Sequence, residues 1–376
     1  MLIVPLDRLA FRTLHSMDDK NAITALASPA AQLVLPEALA RQAAEAVREL
    51  LAEAAAANTT RSYASALRYW AGWHWARFGE GLSFPVPEAT VIQFIVDHVE
   101  RRNAEGHLAW ELPPDTDQAL IEARLKAEPG PWKLSSVRHR VAVLSTAHRL
   151  KQLENPCEQP AVRLVLSCAA RAAVKRGERA NKKTAITKAE LEAMLDTCDG
   201  SLEGLRDRAL LCFGFASGGR RRSEIAAADF RDLKRVGADA YVYRLEHSKT
   251  QQAGPGSAAV PEKPILDRAG QALTDWIEAS GLSEGAIFRR LWKDTIGPGL
   301  SPAAVGEIVK RRAKLAGLEG SFGGHSLRSG FVTEAGRQGV PLAAVMQMTE
   351  HRAASSVIGY FQSGGAEQNP AARLLD

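Results

Sequence analysis

Apolar positions recur at three- and four-residue spacing along most of the chain, and only a few short stretches alternate. The first 35 residues carry mixed signals and read as a loosely held arm. Pro36 opens an Ala- and Leu-rich helix to Ala57, and Thr59 or Thr60 is placed as the cap of a second helix carrying Tyr63, Leu67, Trp70, Trp73 and Phe78. Val91, Ile92, Phe94, Ile95 and Val99 predict a third helix over 89–102. A fourth, over 134–150, is given Ser135 or Ser136 as its cap, and a fifth spans 161–174. Together these make a compact helical bundle over 36–176.

Residues 177–184, G-E-R-A-N-K-K-T, are polar and basic and read as a linker. Beyond it, 185–376 mixes periods. Thr187 caps a helix to Leu195, a buried helix spans 205–215, and 241–246 alternates with β-forming residues. The G-P-G turn at 254–256 and the 260–266 run supply its hairpin partner. Helices follow over 270–278, 302–316, 326–338 (stopped by Gly339), 342–348 (opened by Pro341) and 353–361. The expected fold is mainly α: a helical bundle followed by an α+β domain with a small β-sheet.

A chain of 376 residues is long enough for two hydrophobic cores. Its net charge of +5 is unevenly placed: residues 163–183 hold seven basic side chains and one acidic one, Glu178. Such a stretch suits an anionic partner such as nucleic acid, although taken alone it also suits a solvated linker. Lys175, Arg176, Arg179, Lys182 and Lys183 are the candidates there, with Lys133 and Arg140 in the bundle. The cluster Trp70, Trp73 and Trp75 reads as core rather than as a platform for bases, because a duplex offers few unstacked bases. Cys157, Cys168, Cys198 and Cys212 show neither paired nor zinc-ligand spacing, so no metal or other cofactor is expected. No signal peptide or membrane-length apolar run stands out, and a cytoplasmic, nucleoid-associated protein is expected.

The chemistry lies in the second half. His325 and Arg328 form H-x-x-R; His351 follows after 22 intervening residues and Tyr360 after eight more. Upstream stand Arg221 and Glu224 in G-R-R-R-S-E and Lys249 in H-S-K-T. Arginine forks neutralise the non-bridging oxygens of a phosphodiester, histidines hold oxygens or move protons, and a tyrosine can attack phosphorus. Taken singly, Tyr360 beside Val357 and Phe361 reads as core, Arg221 as part of a solvated basic run, and Lys249 as an ordinary hairpin lysine. Order and spacing together favour catalysis.

These residues resemble the tyrosine recombinases, or phage integrase family. The resemblance covers most of 183–376 and, more loosely, the helical region before it. It implies a site-specific DNA recombinase that cuts and rejoins strands through a 3′-phosphotyrosine intermediate without metal or ATP. Tyr360 would be the nucleophile, Lys249 the proton donor to the departing 5′-oxygen, and Glu224 a buttress of the site. It further implies two domains closing on double-stranded DNA, a monomer in solution and a homo-tetramer on the recombination sites, with Leu374 and Leu375 of the tail docking on a neighbouring subunit. The chain departs from the pattern in three ways. The segment after Arg206 is one residue longer, Arg220 stands where an apolar residue is usual, and Glu350 replaces the glycine before the last histidine. Distance to Glu224 selects Arg221 as the first arginine, with Arg220 as the alternative. A type IB topoisomerase and a silenced DNA-binding protein of the same fold are the rival readings; a metal-dependent nuclease lacks clustered carboxylates.

Overall fold

The computed structural model of the chain describes residues 33–37, 39–54, 57–178, 183–245, 261–293, 295–351, 353–355 and 357–359. The chain divides into two compact units, residues 1–180 and 181–376.

The first unit comprises helices α1 (Arg41–Ala54), α2 (Ala57–Phe78), α3 (Glu88–His98), α4 (Pro114–Glu122), α5 (Leu134–Leu150) and α6 (Pro160–Lys175). A two-stranded antiparallel ribbon, β1 (Arg101–Arg102) and β2 (Leu108–Ala109), lies between α3 and α4. Trp70, Trp73, Phe94 and Leu144 are fully buried at its centre. Trp70 stacks on Phe94 with ring centroids 3.7 Å apart. Both indole N–H groups are satisfied, Trp70 by the Arg140 carbonyl (3.1 Å) and Trp73 by the Asp97 carboxylate (3.0 Å). The tryptophan pair is therefore core, as its helical spacing predicts.

The helix expected over 89–102 ends at His98, because Val99 turns extended and the chain pairs as β1. Thr59 and Thr60 lie inside α2 rather than capping it, and α5 begins at Leu134 with Lys133, not a serine, in the cap position. α4 was not expected, although Pro114 at its start and Asp115 and Asp117 in its first turn are ordinary helix-opening signals.

The second unit runs α7 (Lys188–Asp196), α8 (Leu202–Ala216), α9 (Arg222–Ala226), β3 (Leu233–Gly237), β4 (Ala240–Arg244), β5 (Glu262–Ile265), α10 (Asp267–Ser280), β6 (Arg289–Trp292), β7 (Thr295–Gly299), α11 (Pro302–Leu315), α12 (Gly324–Arg337) and α13 (Leu342–Thr349). Thr187 sits at the start of α7 as predicted, its backbone N–H donating to Glu190 (2.8 Å). Strands β3, β4 and β5 form an antiparallel sheet in that order, and β6 pairs with β7. In β4 and β5 the alternation turns Tyr241, Tyr243, Lys263 and Ile265 inward, with Tyr243 opposite Lys263. α8 is buried on nearly every side, with Leu210, Leu211 and Phe213 inaccessible to solvent. The helix expected over 353–361 extends past the described residues.

Buried charge ties α8 to α11. Asp207 is fully buried; its Oδ1 accepts from Arg206 (2.6 Å), and its Oδ2 from Arg311 (2.6 Å) and Arg312 (2.7 Å). Replacing Asp207 by Asn should cost about 3–5 kcal/mol, because Arg206 and Arg312 would stay buried without their carboxylate. Urea unfolding at neutral pH measures that loss.

Candidate active site

The site is built where three elements of the second unit meet: the turn after α8, the start of α12 and the end of α13. The turn uses Gly218 and Gly219, both with positive φ (99° and 67°). A Cβ on Gly218 would lie 2.2 Å from the Met348 carbonyl oxygen, and one on Gly219 would lie 2.6 Å from the Arg328 Cα. Only glycine lets the chain both turn left-handed and lie directly against α12 and α13.

The two adjacent arginines then part. Arg221 precedes α9 and donates to the Glu224 carboxylate from Nη1 (2.6 Å) and from its backbone N–H (3.1 Å); its side chain is 24% exposed. Arg220 is 1% exposed and donates from Nη2 to the Met348 carbonyl (2.6 Å), with Glu224 3.7 Å from its Nη1. Distance to Glu224 thus singles out an arginine that still reaches solvent, whereas Arg220 is spent on the packing of α13.

On α12, one turn separates His325 from Arg328. Arg328 is buried; it donates to the Gly219 carbonyl (3.2 Å) and to the Thr349 carbonyl, and its Nη2 lies 3.2 Å from His351 Nε2. The His351 tautomer follows from its neighbours. The Thr349 hydroxyl donates to the Val345 carbonyl (2.8 Å), so it accepts from His351 Nδ1–H (2.7 Å). Nε2 is then free to accept, although Arg328 Nη2 lies nearly as close to Nδ1 (3.3 Å) as to Nε2 (3.2 Å).

Burial, then the charges of Arg221 and Arg220, makes the Arg328 cation costly and lowers its pKa to about 9, still charged at neutral pH. The same causes, burial first and then Arg328, Arg221 and Arg220, push His351 down to about 4. His325, at the exposed rim, is also lowered, by desolvation first and then by Arg328 and Arg221. Both imidazoles are therefore neutral at neutral pH beside two arginines, an arrangement that favours an incoming anion. Among the described residues, no group of three His, Cys, Asp or Glu could hold a metal ion.

Of the other site candidates, Lys249 and Tyr360 lie outside the described residues, as do Arg179 and Lys182 among the DNA-contact candidates. Lys133 and Lys175 are exposed. Arg176 pairs with Glu178 (2.9 Å), and Lys183 donates to the Ser321 hydroxyl (2.7 Å). Arg140 is half-buried, its guanidinium 3.8 Å from the Trp132 ring centroid. It lines a groove of about 570 Å³ with Arg61, Ser62, Ser65, Arg68 and His139. A second groove, of about 510 Å³, is lined by Lys183, Lys310 and Lys314.

Sequence reading missed Arg61 and Arg68, although Asn58, Arg61, Ser62 and Ser65 form a polar face at i, i+3, i+4 and i+7. It missed Lys263 too. That residue is 1% exposed and donates to the Gln347 carbonyl (2.6 Å) and to the Glu350 carboxylate (2.5 Å). Its signal was the alternation of β5, which sets a lysine on the same inward face as Ile265.

The second unit of this mainly helical chain thus brings arginines and neutral histidines close together, a set suited to a phosphate. The model of the phage integrase family matches residues 184–366. An integrase/recombinase xerD homolog from Selenomonas ruminantium is 33% identical over 241 residues, 62% of this chain and 69% of that one. The fold is similar to that of the XerH site-specific recombinase bound to palindromic difH substrate (TM-score 0.55, 15% identity, 94% of each chain). It is also similar to the Tn1549 transposon integrase in complex with transposon right end DNA (TM-score 0.54, 15% identity, 88% of this chain and 98% of that one). The chain belongs to the phage integrase family, and its activity is site-specific DNA recombination. No helix among the described residues is long and apolar enough to cross a membrane.

The depressed pKa of His351 has a measurable consequence. An unfolded imidazole titrates near 6.5 and this folded one near 4, so between those values the unfolded state binds more protons. Stability is full above about pH 6.5 and falls as pH drops toward 4. His98, lowered to about 3 by burial, acts in the same direction. The urea midpoint should fall less between about pH 7 and pH 5 in His351→Gln than in the unaltered protein, because the variant lacks that titration.

Proposed function

We propose that Tyr360 is the nucleophile of this recombinase and that Arg221, Arg328, His325 and His351 hold the scissile phosphate. The observation that carries the reading is that these four side chains, from three separate elements, lie near enough to act on one another's charge, with Arg328 Nη2 3.2 Å from His351 Nε2. A phosphodiester entering it would take its non-bridging oxygens to the Arg221 and Arg328 forks, with Glu224 holding Arg221 in place. Tyr360, its phenol proton passing to the neutral imidazole of His325 or His351, would attack phosphorus, forming the aryl phosphate as the bond to the 5′-oxygen breaks. Lys249 would give that oxygen its proton. Attack by another strand's 5′-hydroxyl on the phosphotyrosine reverses the step, so joining draws on the energy kept in the covalent bond and needs no ATP.

The partner is double-stranded DNA. The groove lined by Arg61, Arg68 and Arg140, with Lys133 and Lys175, is proposed for backbone contact in the first unit; Lys183, Lys310 and Lys314 are proposed for the second. Arg176, Arg179 and Lys182 complete the set. The assembly proposed is a monomer in solution and a homo-tetramer on paired sites, with Leu374 and Leu375 docking on a neighbour, acting at the nucleoid in the cytoplasm. Of the rival readings, the family relationship favours neither DNA relaxation nor a silenced binding protein.

The test is covalent trapping with nicked DNA fragments from the sequence flanking the gene, in EDTA, quenched with detergent. The unaltered protein should form a protein–DNA adduct and Tyr360→Phe none. Bound DNA without an adduct would move the assignment to a silenced protein. Arg328→Lys should slow adduct formation by at least about a hundredfold, because a point charge cannot replace a preorganised fork aimed at the transition state.

A further inference from the structure

Helix α13 ends in three successive carbonyls, and each is met by a cation from a different element. Gln347 accepts from Lys263 on β5 (2.6 Å), Met348 from Arg220 in the turn after α8 (2.6 Å), and Thr349 from Arg328 on α12. The chain then passes through Glu350 in the left-handed region (φ 57°, ψ 39°) and delivers His351 to Arg328. Glycine is the residue that takes this conformation most readily, and here it is a glutamate. Its carboxylate is held by Lys263, at 2.5 Å, from a position almost inaccessible to solvent.

The neighbourhood raises a second question. The Glu350 carboxylate stands close enough to Arg220 and Arg328 to influence the charge of both. Arg220 keeps Nε and Nη1 buried with no hydrogen-bond partner. An unrestrained carboxylate here would be drawn to both arginines, and at Arg328 it would compete with a phosphate.

We propose that Lys263 is a positioning residue of the cleavage reaction, holding the Glu350 carboxylate away from Arg220 and Arg328 and fixing the end of α13 from which His351 projects. The proposal rests on the recombinase reading of the site. Lys263 need not touch DNA; it acts through Glu350 and the α13 carbonyl. Arg220 is the third member of the device, because it pins the middle carbonyl of the same helix end.

The experiment is a cycle of Lys263→Met, Glu350→Gly and the double variant, with single-turnover adduct formation measured at saturating DNA and binding measured separately. K263M should slow the adduct step about a hundredfold, with DNA affinity nearly unchanged, because displacing a reacting group by about an ångström costs that much. E350G should change the rate by less than about tenfold, since glycine suits the left-handed turn. The double variant should recover to within about tenfold of the unaltered protein, because the freed carboxylate is gone. An undiminished rate in K263M overturns the proposal, and so does a double variant as slow as K263M. If K263M does not fold, Lys263→Gln takes its place in the cycle and is judged by the same two criteria.

If the unaltered protein forms no adduct, the recombinase reading fails by itself. The His351 imidazole titration, followed by NMR, then decides on Lys263. It should move in K263M and return in the double variant; an unmoved titration overturns the proposal.

Discussion

A helix ends with carbonyl groups that have no partner inside it. In α13, three of these carbonyls are answered by cations carried on β5, on the turn after α8 and on α12. That set of contacts joins elements far apart in sequence and fixes where the chain goes next, which is to His351. The Gly218–Gly219 turn makes it possible by bringing backbone against backbone, where a single methyl would intervene. The glycine pair, the buried lysine and the buried arginine are therefore parts of one constraint. Arg328 belongs to that constraint and to the proposed phosphate site as well, since the guanidinium that holds the Thr349 carbonyl also faces His351.

The electrostatics follow from that packing. Arg220, Arg221, Lys263 and Arg328 bring four cations, and Glu224 and Glu350 two carboxylates, to one small region. With both histidines neutral, these six described groups carry a net of two positive charges. Charge of this kind, set in place before the substrate arrives, costs no reorganisation during the reaction. The cost falls on folding instead, and it is offset by hydrogen bonds to the α13 carbonyls and to the Glu224 and Glu350 carboxylates.

Much of this was legible in the sequence, and the reasons differ by element. Long amphipathic helices announce themselves: α5 and α11 lie within a residue or two of their expected ends, and the alternating Tyr241 and Tyr243 gave β4. β3 and the β6–β7 ribbon were hidden. L-K-R-V-G is mostly exposed, and T-I-G-P-G carries the residues that normally mark turns, so neither presents a buried face for a period to report. In the candidate site, spacing to Glu224 selects the more exposed of the two arginines, and H-x-x-R sets two groups one helical turn apart. Lys263 escaped because long-range pairing decides its role. Only the register of β5 against β4, and the position of α13, set its ammonium group beside Glu350.

Two of the three departures from the family pattern, Arg220 and Glu350, place a charge beside the candidate site. An extra cation beside the first arginine could misplace the phosphate, and a carboxylate beside the last histidine could repel it. In the folded chain neither side chain is free to do so. Arg220 is turned inward onto the Met348 carbonyl and leaves the more exposed position to Arg221. Glu350 is turned onto Lys263, and its backbone takes the left-handed conformation that a glycine would supply. Each unusual residue is matched by a partner that an ordinary site would not require: a buried lysine for the carboxylate, and a carbonyl at the end of α13 for the arginine. Replacement of a glycine and an apolar residue by charged ones is thus accommodated by burial and pairing. The geometry around Arg221, Arg328 and His351 is left fit for an anion.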